Sequence, residues 1–257
     1  MTAIFTPLVS DPSGKLMIFW VLLSWHLTIL SMSLYLHRHL THRSIVLDRR
    51  ISHVMRAWLW LSSATNSVLW MVAHKLHHDH SDHKGDPHSP VGKNPLTYIF
   101  QAWAGYRAVA KYKGIMAELG QSPELEDWVE RRVYQPYTYV GVLVLLAIEV
   151  KIFGLWGMVI WFAQMLCVPV IGLGVINGLG HAWGTRRFNT PDNSRNAHLF
   201  SYPVLNIPLG FLTLGEDKQN NHHFRKGSAK FSSSKWWDMD WGYGYFRVLR
   251  QLRLASG

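Results

Sequence analysis

The stretch LMIFWVLLSWHLTILSMSLYL, Leu16 to Leu36, carries no formal charge over 21 residues and runs directly into HRHLTHRS, His37 to Ser44. At ~1.5 Å per residue, the apolar part reaches about 31 Å as a helix, which matches the thickness of a bilayer core. A cleaved leader fits less well. The apolar run is long, the only preceding charges are Asp11 and Lys15, and no small-residue cleavage site follows. The reading is a membrane span that delivers two histidines, His37 and His42, to one bilayer surface.

A second apolar block, Thr138 to Ile176, is interrupted by Glu149, Lys151 and Gly154. It predicts a hairpin of two helices over about 138–152 and 155–176, with Pro169 kinking the second. Residues 54–72 are apolar but carry Arg56, Ser62, Ser63, Thr65 and Asn66. This run is expected as a helix lying in the interface, because His42 and His74 flank it and must share a side if they share a site. The fold class expected is an all-α integral membrane protein of one domain, 1–257, with about three spans. A helical cap is expected from 37–53, 73–137 and 177–257.

Charge supports this layout. Of 26 Lys and Arg, 24 lie in 37–136 and 182–257. The tendency of basic residues to stay inside puts the cap on the cytoplasmic side of the cell (inner) membrane. The net charge of +10 is then a matter of orientation, and no nucleic-acid-binding motif accompanies it. Charged residues make up 16%, against about 25% in soluble domains. Thirteen Trp, ten Tyr and eleven Phe exclude disorder. A single cysteine, Cys167, excludes a disulfide scaffold and any cysteine-based zinc or iron–sulfur site.

The 15 histidines are mostly clustered. His74, His77 and His78 stand at i, i+3, i+4, which places them on one helix face. Gln219, His222 and His223 repeat that spacing, and His181 lies just beyond the last apolar run. His37 and His42 are five apart and can both reach inward if the helix loosens there. Eight clustered histidines exceed the need of one tetrahedral zinc, so two metal ions fit the count, and imidazole suits iron, zinc, copper or nickel. His26, His39, His53 and His198 read as ordinary polar residues. His80, His83 and His88 read as loop residues or as groups standing behind the ligands.

The motifs in this order resemble the membrane fatty acid desaturases of the histidine-box type. The similarity is greatest to Δ9-like bacterial acyl-lipid and acyl-CoA desaturases, related to stearoyl-CoA desaturase. The first box, H-x-x-x-x-H, matches His37 and His42; the second, H-x-x-H-H, matches His74, His77 and His78. Asp86-Pro87-His88, the Asn177…His181 segment and GEDKQNNHHF follow the family pattern. The resemblance implies two ferrous ions held by His37, His42, His74, His77, His78, His181, His222 and His223, with Asn177 acting through a water. Asp86, His88 and Glu216 would stand behind these ligands. Gln219 departs from the pattern, since the third box usually opens with His; front-end desaturases also carry Gln there, and its amide oxygen can ligate. Relatives commonly carry two spans before the first box, and this sequence has room for one.

By resemblance, the activity is O2-dependent insertion of a cis double bond into a fatty acyl chain linked to lipid, CoA or carrier protein. No flavin or nicotinamide fingerprint is present. Electrons are therefore expected from a separate carrier such as a ferredoxin, a rubredoxin or a cytochrome b5-like protein. An acyl hydroxylase or acetylenase on the same scaffold is the rival, followed by a non-catalytic membrane protein that retains metal.

Overall fold

Ser13 starts the first helix, α1 (Gly14–Ser31), by accepting a hydrogen bond from the Leu16 amide with its side chain. The polar residues of α1 face inward: Ser24, Thr28 and Ser31 are buried, while Ile18, Phe19, Leu22 and Leu23 are exposed. This inversion of the soluble pattern suits a helix surrounded by lipid. A computed structural model describes residues 6–198, 206–233 and 237–257. The helix continues without a break into a π-helical segment, Met32–Thr41, giving a span of 28 residues.

After a sharp turn, α2 (Arg49–Ser63) is capped by Asp48 and α3 (Ser67–His80) by Asn66. The single helix expected over 54–72 is thus two. Ala64 takes a left-handed conformation at φ 50°, and the Asn66 side chain accepts from the Leu69 amide to start a new helix. The polar residues noted in the sequence at 62–66 are the reason for the break. Helices α4 (Pro95–Val109) and α5 (Lys113–Leu119) follow, both packing on α3.

The hairpin is formed by α6 (Val140–Phe153) and α7 (Trp156–Met165), turned at Gly154 with φ 61°. A Cβ at Gly157 would lie 2.2 Å from the Glu149 carbonyl oxygen, so the two helices approach closely only because that residue is glycine. Glu149 is buried between α1, α6 and α7, accepting from Trp20 Nε1 at 2.9 Å and Gln164 Nε2 at 3.0 Å. From α7 the chain passes into a second π-helical segment, Val168–Leu179, with Pro169 in its first turn, and then into α8 (Gly180–Ala182). Proline has no amide hydrogen for the helix, which accounts for the change of register there.

Among the described residues, two helices are long and apolar enough to cross a membrane, Gly14–Thr41 and Trp156–Ala182. The third expected span corresponds to α6. Its 14 residues reach about 21 Å, short of the ~30 Å hydrocarbon core. Leu143, Val144 and Ile148 of α6 are nevertheless exposed beside Met158, Val159 and Phe162 of α7, continuing the apolar belt of α1.

The remainder consists of α9 (Ile207–Thr213), α10 (Gln219–Phe224) and α11 (Trp241–Gln251). The all-α expectation needs one amendment. A short antiparallel pair, β1 (Val46–Leu47) with β2 (Ala255–Ser256), ties the C-terminus to the turn after the first span. The apolar core beneath the site is built from Leu34, Tyr35, Leu36, Leu40, Leu59, Met71 and Phe246.

Candidate metal centre

The π-helical end of the first span solves the five-residue spacing of His37 and His42. In an α-helix, residues five apart point about 140° away from each other. In the π register the His42 amide donates to the His37 carbonyl at 3.0 Å, and the two rings come within 4.8 Å, centroid to centroid.

The histidines fall into two adjacent groups. In the first, ring nitrogens of His37, His42, His74, His78 and His222 all lie within 4.8 Å of one another; in the second, those of His77, His181 and His223 do. The helical triads are interleaved. His74 and His78 of α3 meet His222 of α10, whereas His77 meets His223.

The geometry tests whether a cation fits. Neighbouring Nε2 atoms in the first group are separated by 2.9 Å (His37 and His222), 2.9 Å (His222 and His78), 3.0 Å (His78 and His74) and 3.1 Å (His74 and His42). Imidazole ligands at about 2.0–2.1 Å from one ion, set at right angles, would stand about 3 Å apart. In the second group every Nδ1 is engaged by a carboxylate: His77 by Asp86 at 2.9 Å, His181 by Asp82 at 2.8 Å and His223 by Asp192 at 2.7 Å. Each Nδ1 therefore carries the ring proton, and the Nε2 lone pairs point at one another. His181 Nε2 and His223 Nε2 are buried and have no hydrogen-bond partner. Converging bare lone pairs in a buried pocket are the chemistry of a cation site.

Burial keeps five of these imidazoles, His42, His74, His78, His222 and His223, neutral, as ligation requires. Burial, followed by its histidine neighbours, pushes His42 down to about 2, and the same causes hold His74, His78 and His222 well below the usual range. His223 is lowered to about 3, chiefly by burial and against the pull of Asp192. Burial opposes ionisation of Asp82, Asp86, Asp192 and Glu216, but hydrogen bonds and the facing histidines outweigh it, and all four are held below the ordinary carboxylate range. These buried carboxylates place negative charge behind the histidines, where it would favour a bound cation.

The supports are themselves tied down. Glu216 bonds His37 Nδ1 at 2.7 Å, Ser33 Oγ at 2.6 Å and the buried Arg38 guanidinium at 2.8 Å. Arg38 also pairs with Asp240 at 3.0 Å and lies over the Phe231 ring at 4.0 Å. Asp86 accepts from the Asp82 and His88 amides as well as from His77. Asp82 and Asp192 were not singled out by the sequence. Asp82 lies four residues after His78 and could have been suspected; Asp192 stands in a loop with no periodic signal.

Three other expected residues border this site. The His88 ring stacks on His77 at 4.8 Å, and its burial holds it at about 3. Asn177 donates its amide hydrogens to the His88 carbonyl at 2.7 Å and to the Tyr98 hydroxyl, so a water held by Asn177 must donate to Oδ1. Gln219 donates to the Glu216 carbonyl at 3.0 Å, and its Cγ would be 2.6 Å from a Cβ placed on Gly180. His80 and His83 are exposed. His26 and His39 are engaged elsewhere, with Tyr245 and with the Leu47 amide.

A cavity of 380 Å³ lies against the site. Its wall includes His37, His74, His77, Asn177 and Gln219, then Ile29, Met32, Leu69, Trp70, Val168, Leu173 and Ile176, and it reaches the exposed Trp103, Arg107 and Tyr139. A Cβ on Gly105 would lie 1.8 Å from the Pro87 carbonyl oxygen, so that glycine holds α4 against the loop after the second histidine box.

Comparison with known proteins agrees with the pattern. A hex-5-enoyl-[acyl-carrier protein] acetylenase of Moorena producens is 32% identical over 248 residues, covering 90% of this chain and 73% of its own. An acyl-CoA C20 Delta5-desaturase of Anemone leveillei is 28% identical, covering 93% and 72%. Delta-9 acyl-lipid desaturase 2 of Arabidopsis thaliana is 26% identical, covering 86% and 67%. These relatives indicate an oxidoreductase that acts on fatty acyl groups and associates with membranes. The fatty acid desaturase family model matches residues 15–239, and the chain belongs to that family.

Proposed function

We propose that the protein is an O2-dependent acyl desaturase that places a cis double bond in a fatty acyl chain bound in the 380 Å³ cavity. The observation that carries this is the shared wall: His37, His74 and His77 border the same mostly apolar space that reaches the surface at Arg107. Two iron ions, held by the five-histidine and three-histidine groups, would supply the O2 reduction needed to break unactivated C–H bonds. The residues do the rest. Asp82, Asp86, Asp192 and Glu216 fix the ring protons on Nδ1 and keep Nε2 free for metal. Leu69, Trp70, Val168 and Ile176 exclude water and extend the acyl chain past the site. The ionic carboxylates behind the histidines place negative charge where it would favour bound cations. The basic cap lies on the cytoplasmic side of the cell membrane in this reading, with α6 completing the passage of the chain through the bilayer.

A second reading has a specific ground. The Moorena producens relative is an acetylenase, and an acetylenase removes hydrogen from an existing double bond. Gln219, at the cavity wall beside the five-histidine group, is the residue most suited to alter the outcome.

The test is a fatty acid profile by gas chromatography–mass spectrometry after aerobic expression in bacteria, with double bonds located by derivatisation. A new cis-monoene, absent with His78→Ala, is the expected result. An ynoic or hydroxy acid selects the second reading. A normal product profile from His78→Ala would remove the metal assignment.

A further inference from the structure

Desaturation of one –CH2–CH2– unit consumes O2, two electrons and two protons, and yields –CH=CH– and two waters. These 257 residues hold no cluster of cysteines and no flavin or nicotinamide fingerprint, and on the desaturase reading both electrons would reach them one at a time from a reduced carrier.

Helix α10 is buried from Gln219 through His222 and His223, and the chain comes to the surface at its last residue, Phe224, and at Arg225 just beyond it. Phe224, 48% exposed, stacks flat on Phe188 with centroids 4.0 Å apart and planes within 3°. The Arg187 guanidinium lies 5.5 Å over Phe188, and that of Arg225 lies 5.8 Å from both rings. Arg186 and Lys226 extend the positive charge, and Lys226 donates to the carbonyl of His78 at 2.9 Å. The acid of this stretch, Asp192, is turned inward to His223. Asn220, fully buried, accepts from the Arg187 and Phe188 amides at 2.8 Å and donates to the Phe188 carbonyl at 3.0 Å. The loop is thus fastened to the ligand helix, and Phe224 is covalently next to a metal-site histidine.

We propose that Arg187, Phe188, Phe224 and Arg225 form the docking site of an acidic one-electron carrier protein, and that electrons enter through α10. Exposed arginine and aromatic groups are the residue types that anchor interfaces, and a concentrated positive patch steers an acidic partner. The rigid tie through Asn220 keeps the docked carrier in a fixed relation to His222 and His223. The inference rests on the desaturase reading above.

The test measures binding first. Three acidic carriers, a [2Fe–2S] ferredoxin, a rubredoxin and a cytochrome b5 domain, are titrated against the detergent-solubilised protein at low and moderate salt. At least one is expected to bind, with affinity falling steeply as salt rises. The double variant Arg187→Glu, Arg225→Glu should weaken it at least tenfold. Arg187→Lys, Arg225→Lys should retain most of it, and a control of equal charge change on α5 and its approach, Lys111→Glu, Lys113→Glu, should not alter it. Product formed with a chemical reductant should be the same in the glutamate variant and in wild type. Undiminished carrier affinity in that variant overturns the proposal, as does failure of all three carriers to bind. A raised KM for the acyl substrate with unchanged carrier affinity also overturns it, and identifies the patch as a phosphate head-group site. If carrier binding maps to the patch but no reductant yields product, the docking site stands and the desaturase reading falls.

Discussion

Asp82 is the support whose removal is most informative, because it touches only the three-histidine group. Its Oδ2 accepts from His181 Nδ1 at 2.8 Å and from the Asn193 amide at 2.7 Å, and its Oδ1 accepts from Ser89 Oγ at 3.0 Å. In Asp82→Asn the amide nitrogen can face Ser89 and the oxygen can keep the other two donors. The fold survives, but the carboxylate charge beside His181 Nδ1 is gone, and the histidine groups lose one of the negative charges that stand behind them. Loss of such a support lowers metal affinity about 10–100-fold, or about 1.4–2.7 kcal/mol. In Asp82→Ala two buried donors, His181 Nδ1–H and the Ser89 hydroxyl, have no acceptor, and the partly buried Asn193 amide loses its own. At about 1–3 kcal/mol for each, the protein itself should lose about 2–6 kcal/mol. The assay loads detergent-solubilised protein with Fe2+ and titrates a chelator of known affinity while following the iron retained. Wild type should release iron late. Asp82→Asn should release one equivalent about 10–100-fold earlier and hold the other. Release of both ions together would refute the division into two groups, and a wild-type curve would refute the role given to Asp82.

Other expectations follow from the same geometry. Gly180→Ala puts a Cβ 2.6 Å from Gln219 Cγ, so it should lower the melting temperature through about 1–3 kcal/mol of overpacking; Gln219→Ala in the same chain should restore it. Arg38→Met leaves Glu216 and Asp240 buried without their cation and should cost about 3–5 kcal/mol. Arg38→Lys should rescue little, because one ammonium cannot serve both carboxylates in the guanidinium's geometry; thermal melts of the three proteins check this. The metal-free protein should be acid-labile. His42, at about 2, and His88 and His223, at about 3, stay neutral in the fold, whereas in the unfolded chain they take up protons below about 6.5. The unfolded state then binds more protons, so stability falls by about 1.4 kcal/mol per pH unit for each such histidine as pH drops from 6.5 toward 3. A melting temperature that stays flat from pH 7.5 to 5 would contradict the burial argument.

How much of this was legible in the sequence depended on periodicity. His74, His77 and His78 could be placed on one face because an α-helix fixes the i, i+3, i+4 relation whatever surrounds it, and Leu16–Leu36 announced its surroundings by lacking charge. The same regularity misled between 54 and 72. Apolar residues flank the polar stretch 62–66 on both sides, so the run reads as one helix, but the backbone turns at Ala64 and the Asn66 side-chain bond starts a second. The pairing of histidines across helices was not readable either. The two triads look like matching sets, yet His77 separates from His74 and His78 to join His181 and His223, because neighbours i and i+3 on one helix still diverge by about 60°.

Asp192 shows the deeper limit. It reaches His223 from 31 positions away in sequence, held by its own bonds to Thr190 and Ser194, and nothing local distinguishes it from a surface aspartate. A ligand must present its ring at a repeat set by its helix, so ligands leave a pattern. The group that fixes a ring proton needs only to arrive within about 3 Å from any direction, so it leaves none. Yet these carboxylates decide which nitrogen is free to bind and how much positive charge the pocket can hold. The part of the site that sets its charge is therefore the part that required the fold to be seen.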